Sequence, residues 1–367
     1  MSNKNKKDIE LIVSFCSCGS GKKYGQCCYS NSPINIKRDA AISFSMPEGG
    51  AIKGVIDAGG YLCTVGEDAI YKITLADVID PDRTNIKTKS TTTQTLNIGM
   101  NDFLVSRIIG QLQSLPTTFV GEEDLKVMNE VCLEILIKMK SIRDTIIDIQ
   151  NEFAEKEDSF NKENTQTQNK DSINDIRQIG NLTTRVTGFF TEGNKILKDI
   201  LKILNLIFDA DERGKNFTQI KEIHDKGNEF QDEFISEILG HHMESIDFIW
   251  NIRNSIEHNN EGKLLFRVTN ISTDIDNKLT PPTIRYVYKP WSSDYKESEG
   301  EEPLLNLMCY QFQILLAIVE DIIAHVVCFK IEKFGSPLPY TVTLDDSPGA
   351  AFRYTVEWQL PSSQSKI

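Results

Sequence analysis

The chain has 367 residues, of which 40% are hydrophobic and 25% are charged, as in a globular protein rather than a disordered or fibrous one. Its length allows more than one structural unit, because domains commonly contain ~100 to 200 residues. The formal net charge of -13 argues against a protein that coats nucleic acid through its overall charge, because such binding requires Lys and Arg to neutralise phosphates, although it leaves room for a local basic cleft.

We expect neither secretion nor a membrane span. The apolar run at residues 11–13 is too short for the core of a signal peptide. The most apolar stretch, residues 314–329, is interrupted by Glu320, Asp321 and His325, whereas a membrane helix needs ~20 largely uncharged residues. The sequence therefore predicts a cytoplasmic protein whose cysteines, in a reducing compartment, are metal ligands or buried thiols rather than disulfides.

Four cysteines lie close together near the N-terminus. Cys16 and Cys18 are separated by a single residue. Cys27 and Cys28 are adjacent and follow after a short segment with three glycines, which can adopt the positive φ values of a tight metal loop. Thiolates suit zinc, and four of them complete its tetrahedral shell. The pattern predicts a zinc site, with a set of free or redox-active thiols as the alternative.

The cysteine segment, roughly residues 15–29, resembles the SEC-C motif, a zinc module found at the C-terminus of the SecA translocation ATPase and appended to many other bacterial proteins. Two positions that are not ligands differ from the family pattern. The resemblance implies that the zinc ligands are Cys16, Cys18, Cys27 and Cys28. It also implies a docking module that contacts a protein or the ribosome.

Residues 35–95 combine glycines with short apolar runs, which predict a small β-rich unit or an irregular segment without regular secondary structure. The polar residues 85–94 within this segment predict a linker.

Beyond the linker, apolar residues recur at steps of three and four in four separate stripes, which predict four long amphipathic helices. The stripes run from Leu125 to Phe153, from Ile179 to Ile207, from Phe234 to Ile249 and from Leu305 to Val326. Residues 158–171 have almost no apolar side chains and predict an exposed loop. Four stripes interrupted by loops favour a helical bundle over a coiled coil.

Two β hairpins accompany the predicted helices. The first, at residues 263–289, is inserted between the third and fourth helices, and the second pairs residues 340–344 with residues 352–358. The sequence thus predicts a mainly α fold with a zinc knuckle at 1–34, a small β-rich segment and linker at 35–95, a helical bundle with its hairpin at 96–335 and a β tail at 336–367.

The third stripe ends in polar residues that predict a site. Four residues after Ile249 the stripe reaches Arg253, whose guanidinium is costly to bury unless it is paired or faces a cleft. His258 follows near the predicted end of the helix. In the alternative interpretation, Arg253 pairs with Glu257 one turn later and His258 interacts with the C-terminus of the helix, as cations commonly do.

Arg253, Asn254 and His258 match the pattern Arg-Asn-x-x-x-His, so the region of roughly residues 96–335 resembles HEPN domains (higher eukaryotes and prokaryotes nucleotide-binding). These are all-α bundles that include many metal-independent ribonucleases. The resemblance implies that His258 is a general acid or base, that Arg253 holds the scissile phosphate and that Asn254 orients its neighbours. It also implies a homodimer in which each protomer contributes one Arg/His set. Histidine titrates near neutrality, and the guanidinium matches two phosphate oxygens.

Other residues around this site have simpler interpretations. Four cations on the neighbouring hairpin are candidates for a local positive field: Lys263, Arg267, Arg285 and Lys289. His242 and Trp250 are predicted core residues. Four scattered cysteines are predicted buried thiols: Cys63, Cys132, Cys309 and Cys328.

The function expected from these features is that of a HEPN-type, metal-independent endoribonuclease with a zinc docking module, acting on RNA as a toxin or defence effector. The alternative is a non-catalytic adaptor that binds a protein or the ribosome through its zinc knuckle and helical bundle. The sequence has no phosphate-binding loop of the type Gly-x-x-x-x-Gly-Lys-Ser/Thr, no His-Glu-x-x-His and no Gly-x-Ser-x-Gly, which disfavours nucleotide hydrolases, zinc proteases and serine hydrolases.

Overall fold

The computed structural model describes residues 50–58, 61–82, 84–85, 87–166, 176–208, 213–226, 233–258, 264–288, 298–335, 339–345, 347, 350 and 352–359. They belong to two compact units, Met1–Asn101 and Asp102–Ile367. The described part of the chain is mainly helical, with small antiparallel sheets. The mainly α fold with small β additions is therefore confirmed, whereas the proposed zinc knuckle lies outside the described residues.

The first unit contains a four-stranded antiparallel meander. Its elements are β1 (Gly54–Ala58), β2 (Tyr61–Val65), β3 (Ile70–Thr74), the short helix α1 (Ala76–Ile79) and β4 (Thr91–Leu96). The small β unit is thus confirmed, but the linker predicted for residues 85–94 is wrong from Thr91 onwards, because β4 pairs with β3. The run of β-branched threonines is polar yet suits an exposed strand.

The second unit begins with a short helical segment that the sequence analysis did not predict. It consists of α2 (Phe103–Val105), a π-helical turn (Ser106–Gly110) and α3 (Gln111–Ser114). Asp102 begins it by accepting a hydrogen bond from the Leu104 amide at 2.9 Å. Its carboxylate also pairs with Arg143 at 2.7 Å, which attaches this segment to the first long helix.

Four long helices form the centre of the second unit, and each corresponds to one of the four predicted stripes. They are α4 (Glu122–Gln166), α5 (Leu182–Leu204), α7 (Glu233–His258) and α8 (Leu304–Phe334), with a shorter helix α6 (Phe217–Lys226) before α7. Helix α5 contacts α4, α7 and α8, and α8 also contacts α4 and α7. The apolar stripes are buried where these helices meet, which explains why their spacing predicted them.

The loop predicted for residues 158–171 is wrong over its first part, because α4 continues to Gln166. Polar residues such as Glu and Lys are good helix formers, and Lys162 pairs with Asp158 one turn earlier. A solvated helix therefore does not need the apolar stripe on which the prediction depended.

Three small sheets complete the second unit. The first is antiparallel and has three strands in the order β5 (Leu264–Thr269), β8 (Thr283–Tyr288) and β9 (Ser298–Pro303). The second pairs β6 (Ser272–Thr273) with β7 (Leu279–Thr280). The third pairs β10 (Tyr340–Leu344) with β11 (Tyr354–Trp358). Both predicted strand pairs are confirmed, and β9 is an addition. Helix α8 follows β9 directly and ends at Gly335, whose φ of 72° favours glycine.

Asp321 of α8 connects the C-terminal hairpin to the helices. Asp321 accepts hydrogen bonds from the Tyr354 hydroxyl at 2.6 Å and from the Arg353 guanidinium at 2.7 Å. His242 on α7 lies 3.1 Å from the other oxygen of Asp321. His242 is satisfied by this contact, but its side chain is 15% exposed, so it lies at the edge of the core rather than inside it.

Among the helices of the described residues, none is both long and apolar enough to cross a membrane.

Candidate functional site

The Arg-Asn-x-x-x-His sequence occupies the C-terminal end of α7. Its backbone is helical from Arg253 to His258, the last residue of the helix. The Arg253 guanidinium donates a hydrogen bond from Nη1 to Oδ1 of Asn254 at 3.0 Å. Both side chains are half-buried, so they lie at the edge of the core with part of each surface accessible. The side chains of Glu257 and His258 lie outside the described residues.

The edge position of Arg253 follows from the packing of α7. Ile249, one turn before Arg253, and Ile252, directly before it, are completely buried, and α7 contacts α5 and α8. Arg253 extends this stripe by one turn. Its aliphatic stem can therefore pack against the core while the guanidinium reaches the surface.

A second stripe on α7 is polar, and part of it is buried. Asp247, Asn251, Asn254 and His258 follow one another at steps of four, three and four, which places them on one face of the helix. Asp247 and Asn251 are 6% and 2% exposed. Asn251 donates a hydrogen bond from Nδ2 to the Asp247 carbonyl oxygen at 2.8 Å. The motif thus continues into a buried polar face that a search for the motif does not reveal.

Asp247 lies at a cavity of about 270 Å³ formed by α5, α6 and α7. Trp250 and two lysines, Lys198 and Lys215, share the lining of this cavity. Burial raises the pKa of Asp247 to about 6, against an opposing effect of Lys221. A carboxyl group that titrates near neutrality in a cavity is a candidate for proton transfer.

Asp247 was not predicted as a site residue, although the sequence contains a signal for it. Asp247 stands between Ile246 and Phe248 in the most apolar part of the third stripe. An acid in such a position must be buried with a shifted pKa or be displaced toward solvent. The prediction for Trp250 was also incomplete, since its side chain is half-buried at the cavity rather than fully in the core.

Two of the four predicted hairpin cations are described, and they are neighbours. Arg267 of β5 and Arg285 of β8 are directly opposite each other in the antiparallel register, and both are exposed. Like charges in this arrangement repel unless an anion lies nearby, and Glu301 of β9 is next to Arg285 on its other side. Lys263 and Lys289 lie outside the described residues. The sheet therefore presents a short row of two arginines followed by one glutamate, with its cationic end at Arg267.

The four predicted zinc ligands, Cys16, Cys18, Cys27 and Cys28, lie outside the described residues. Within the described part of the chain, no group of three or more His, Cys, Asp or Glu side chains is placed to hold a metal ion. The chemistry of the cysteine set itself suits zinc.

The remaining cysteines are only partly as predicted. Cys63 and Cys132 are buried and Cys328 is half-buried, but Cys309 is exposed, so the prediction of a buried thiol is wrong for Cys309. It lies on the outer side of α8, beside the exposed Tyr310. Desolvation raises the pKa of Cys132 to about 12 and that of Cys63 to about 11, so both thiols remain protonated and unreactive near neutral pH.

Comparison with models of protein families, with curated proteins and with solved structures found no match to this chain.

Proposed function

We propose that this chain is a HEPN-type endoribonuclease that cleaves RNA without a catalytic metal. The observation that carries the proposal is the placement of Arg253 and Asn254. They are half-buried and hydrogen-bonded to each other near the C-terminal end of α7, the helix whose last residue is His258. Arg, Asn and His at this spacing are the residues that the resemblance to HEPN ribonucleases assigns to catalysis.

The proposed reaction uses the 2′-hydroxyl of the substrate as its nucleophile. The 2′-oxygen loses its proton and attacks phosphorus, the bond from phosphorus to the 5′-oxygen breaks, and the leaving oxygen takes up a proton. The products are a 2′,3′-cyclic phosphate and a 5′-hydroxyl. His258 makes one of these proton transfers, because imidazole titrates near neutral pH. Arg253 binds two phosphate oxygens and stabilises the charge that develops on them.

Asn254 is a positioning residue in this proposal. Its Oδ1 accepts a hydrogen bond from Arg253, which restricts the rotation of the guanidinium. It is also one turn before His258 on the same face of α7. A homodimer brings two such sets together, so that one histidine acts as base and the other as acid.

We further propose that Cys16, Cys18, Cys27 and Cys28 hold one zinc ion in an N-terminal knuckle of the SEC-C type. Four thiolates form a closed structural site without an open position for substrate. The zinc would stabilise a docking module and take no part in cleavage. A contact with the ribosome or with another protein fits this role.

Incubation of the purified protein with single-stranded RNA in the presence of EDTA tests the nuclease proposal. Wild-type protein should release fragments with 2′,3′-cyclic phosphate ends, and it should leave DNA intact because DNA has no 2′-hydroxyl. His258→Ala should reduce the rate by ~100- to 10,000-fold, the usual contribution of general acid–base catalysis. Arg253→Lys retains the positive charge but loses the planar guanidinium that can donate two parallel hydrogen bonds to a phosphate, so its cleavage rate should also fall.

A matched control is His241→Ala, which removes an exposed histidine from the same helix. This variant should cleave RNA at the wild-type rate. Intact RNA after incubation with wild-type protein, or equal rates for the wild type and His258→Ala, would contradict the nuclease proposal. The adaptor function would then be the one to pursue.

A further inference from the structure

A cavity of about 390 Å³ lies in the second unit between α7, α8 and the sheet of β8 and β9. Its volume is within the range of ~300 to 1,000 Å³ that is usual for small-molecule sites. Its walls combine aromatic rings with carboxylates, and no lysine or arginine lines it. It is separate from the proposed nuclease site and does not depend on that proposal.

The aromatic walls form a corner. The rings of Phe248 and Tyr286 are 5.1 Å apart between centroids and inclined at 74°, so one ring presents its edge to the face of the other. Tyr310 adds a third ring that is 57% exposed, which places it at the mouth of the cavity. The faces of aromatic rings attract cations because their π electrons concentrate negative charge there.

The position of Tyr286 depends on Gly300 in the neighbouring strand. The two residues are directly opposite each other in the register of β8 and β9. A Cβ atom at residue 300 would approach the Tyr286 ring to 2.7 Å, closer than any normal contact. The absence of a side chain at Gly300 thus leaves the space that the ring occupies.

Two carboxylates make the cavity negative. Glu302 accepts a hydrogen bond from the Tyr286 hydroxyl at 3.0 Å, and Glu244 lines the same cavity from α7. Burial, together with the bond to Glu302 and the charges of Glu302 and Glu244, raises the pKa of Tyr286 to about 12. The phenol therefore remains a donor to Glu302. Among the described residues, neither carboxylate forms an ion pair with Lys, Arg or His within 4.0 Å.

A buried acceptor completes the lining. Gln311 is only 3% exposed, and its Oε1 atom has no hydrogen-bond partner among the described residues. A buried polar atom without a partner typically costs ~1 to 3 kcal/mol. A ligand whose N–H donor reaches this atom would remove that cost, whereas an anion or a ligand with acceptors alone would not.

We propose that this cavity binds an aliphatic di- or polyamine in its protonated form. The positive charge of the ammonium groups is attracted by Glu244 and Glu302. Their N–H groups can donate a hydrogen bond to Oε1 of Gln311. The methylene groups between them pack against Phe248 and the buried Leu307. Two carboxylates favour two cationic groups over one, which selects polyamines over simple amines.

Isothermal titration of the full chain with spermidine tests this site. Wild-type protein should bind one equivalent, and 1,8-octanediol, which has a similar length but no charge, should not bind. Glu302→Gln should weaken binding about tenfold or more, since hydrogen bonds to charged groups are the strong ones. Glu301→Gln is the matched control, because Glu301 is adjacent in β9 but exposed, is opposite Arg285 in the strand register and does not line the cavity. It should bind as the wild type does.

Gln311→Met separates a binding role from a structural one. The replacement is similar in shape and removes an acceptor that has no partner, so thermal stability should be unchanged or higher while spermidine affinity falls severalfold. Tyr310→Ala, at the exposed mouth, should weaken binding without affecting the fold. The proposal is overturned if the wild type does not bind spermidine at millimolar concentration. It is also overturned if Glu302→Gln and Glu301→Gln bind equally well.

Discussion

Arg107 forms a bidentate ion pair with Glu320, which is 213 positions away in the sequence. The Glu320 side chain is completely buried and that of Arg107 is 21% exposed, and Arg107 Nη2 lies 2.6 Å from Glu320 Oε2. Arg107 belongs to the π-helical turn and Glu320 to the middle of α8. A charge in that position of α8 is tolerated because the guanidinium compensates it.

We expect Glu320→Gln to destabilise the second unit by about 3 to 5 kcal/mol, because it leaves Arg107 without its carboxylate. Arg107→Gln should also destabilise it, but by less, because Arg353 still lies 4.0 Å from Glu320. The double variant should be less destabilised than the sum of the two, since both charges are then absent. Urea denaturation of the three variants measures this coupling. Lys162→Gln breaks an exposed pair and should cost less than about 1 kcal/mol. Strictly additive losses at 107 and 320 would contradict the expectation.

Asp247→Asn should change the dependence of stability on pH. The folded-state pKa of Asp247 is about 6, above its ordinary value of 3.8, so the folded state retains the proton more strongly than the unfolded state. The protonated Asp247 side chain therefore makes its full contribution to the free energy of unfolding below pH 4. This contribution is lost as the pH rises through 6. Asp247→Asn should not show this loss, because asparagine does not titrate. At pH 7 it should therefore be more stable than the wild type, by roughly 2 to 3 kcal/mol at most.

The measurement for Asp247 is the urea midpoint of the wild type and Asp247→Asn between pH 4 and pH 8. Asp276→Asn serves as the control, because Asp276 is exposed in a turn and should leave the pH profile unchanged. Parallel profiles for the wild type and Asp247→Asn would show that the Asp247 pKa is not raised.

One equivalent of zinc per chain is the expected result of metal analysis on protein purified without added zinc, because four thiolates at this spacing complete a structural site. Replacing Cys27 and Cys28 with serine should remove it. Replacing the exposed Cys309 with serine should leave the zinc content unchanged. Full zinc content after loss of Cys27 and Cys28 would refute the assignment.

A homodimer is the expected state in solution, with the C-terminal end of α7 in the interface, because the resemblance to HEPN domains implies a composite site to which each protomer contributes one Arg/His set. Light scattering at micromolar concentration should give twice the 41.5 kDa of one chain. Arg253→Glu should shift the population toward monomer if this helix end meets its symmetry mate. A wild-type protein that is strictly monomeric would argue against a composite active site.

The sequence determined the elements whose signal is local. The spacing of Ile246 and Ile249 identified α7, because a helix repeats its side-chain directions every 3.6 residues. The β-branched and aromatic content of residues 264–269 and 283–288 identified β5 and β8, because such residues favour strands. The same reasoning missed the polar end of α4 and the threonine-rich β4. These elements have few apolar residues, and their stability comes from helix propensity in one and strand pairing in the other.

Tertiary structure alone decided which polar residues meet. Nothing in the sequence relates Arg107 to Glu320, or places Gln311 beside Tyr286, because a periodic pattern shows which face of an element is buried but not which element covers it. The motif at Arg253 and Asn254 was visible in the sequence, whereas the burial of Asp247 on the same helix required the packing of α5 and α6 around it. Local spacing fixes the direction of a side chain, and its partners and its pKa depend on chain segments that come together only when the protein folds.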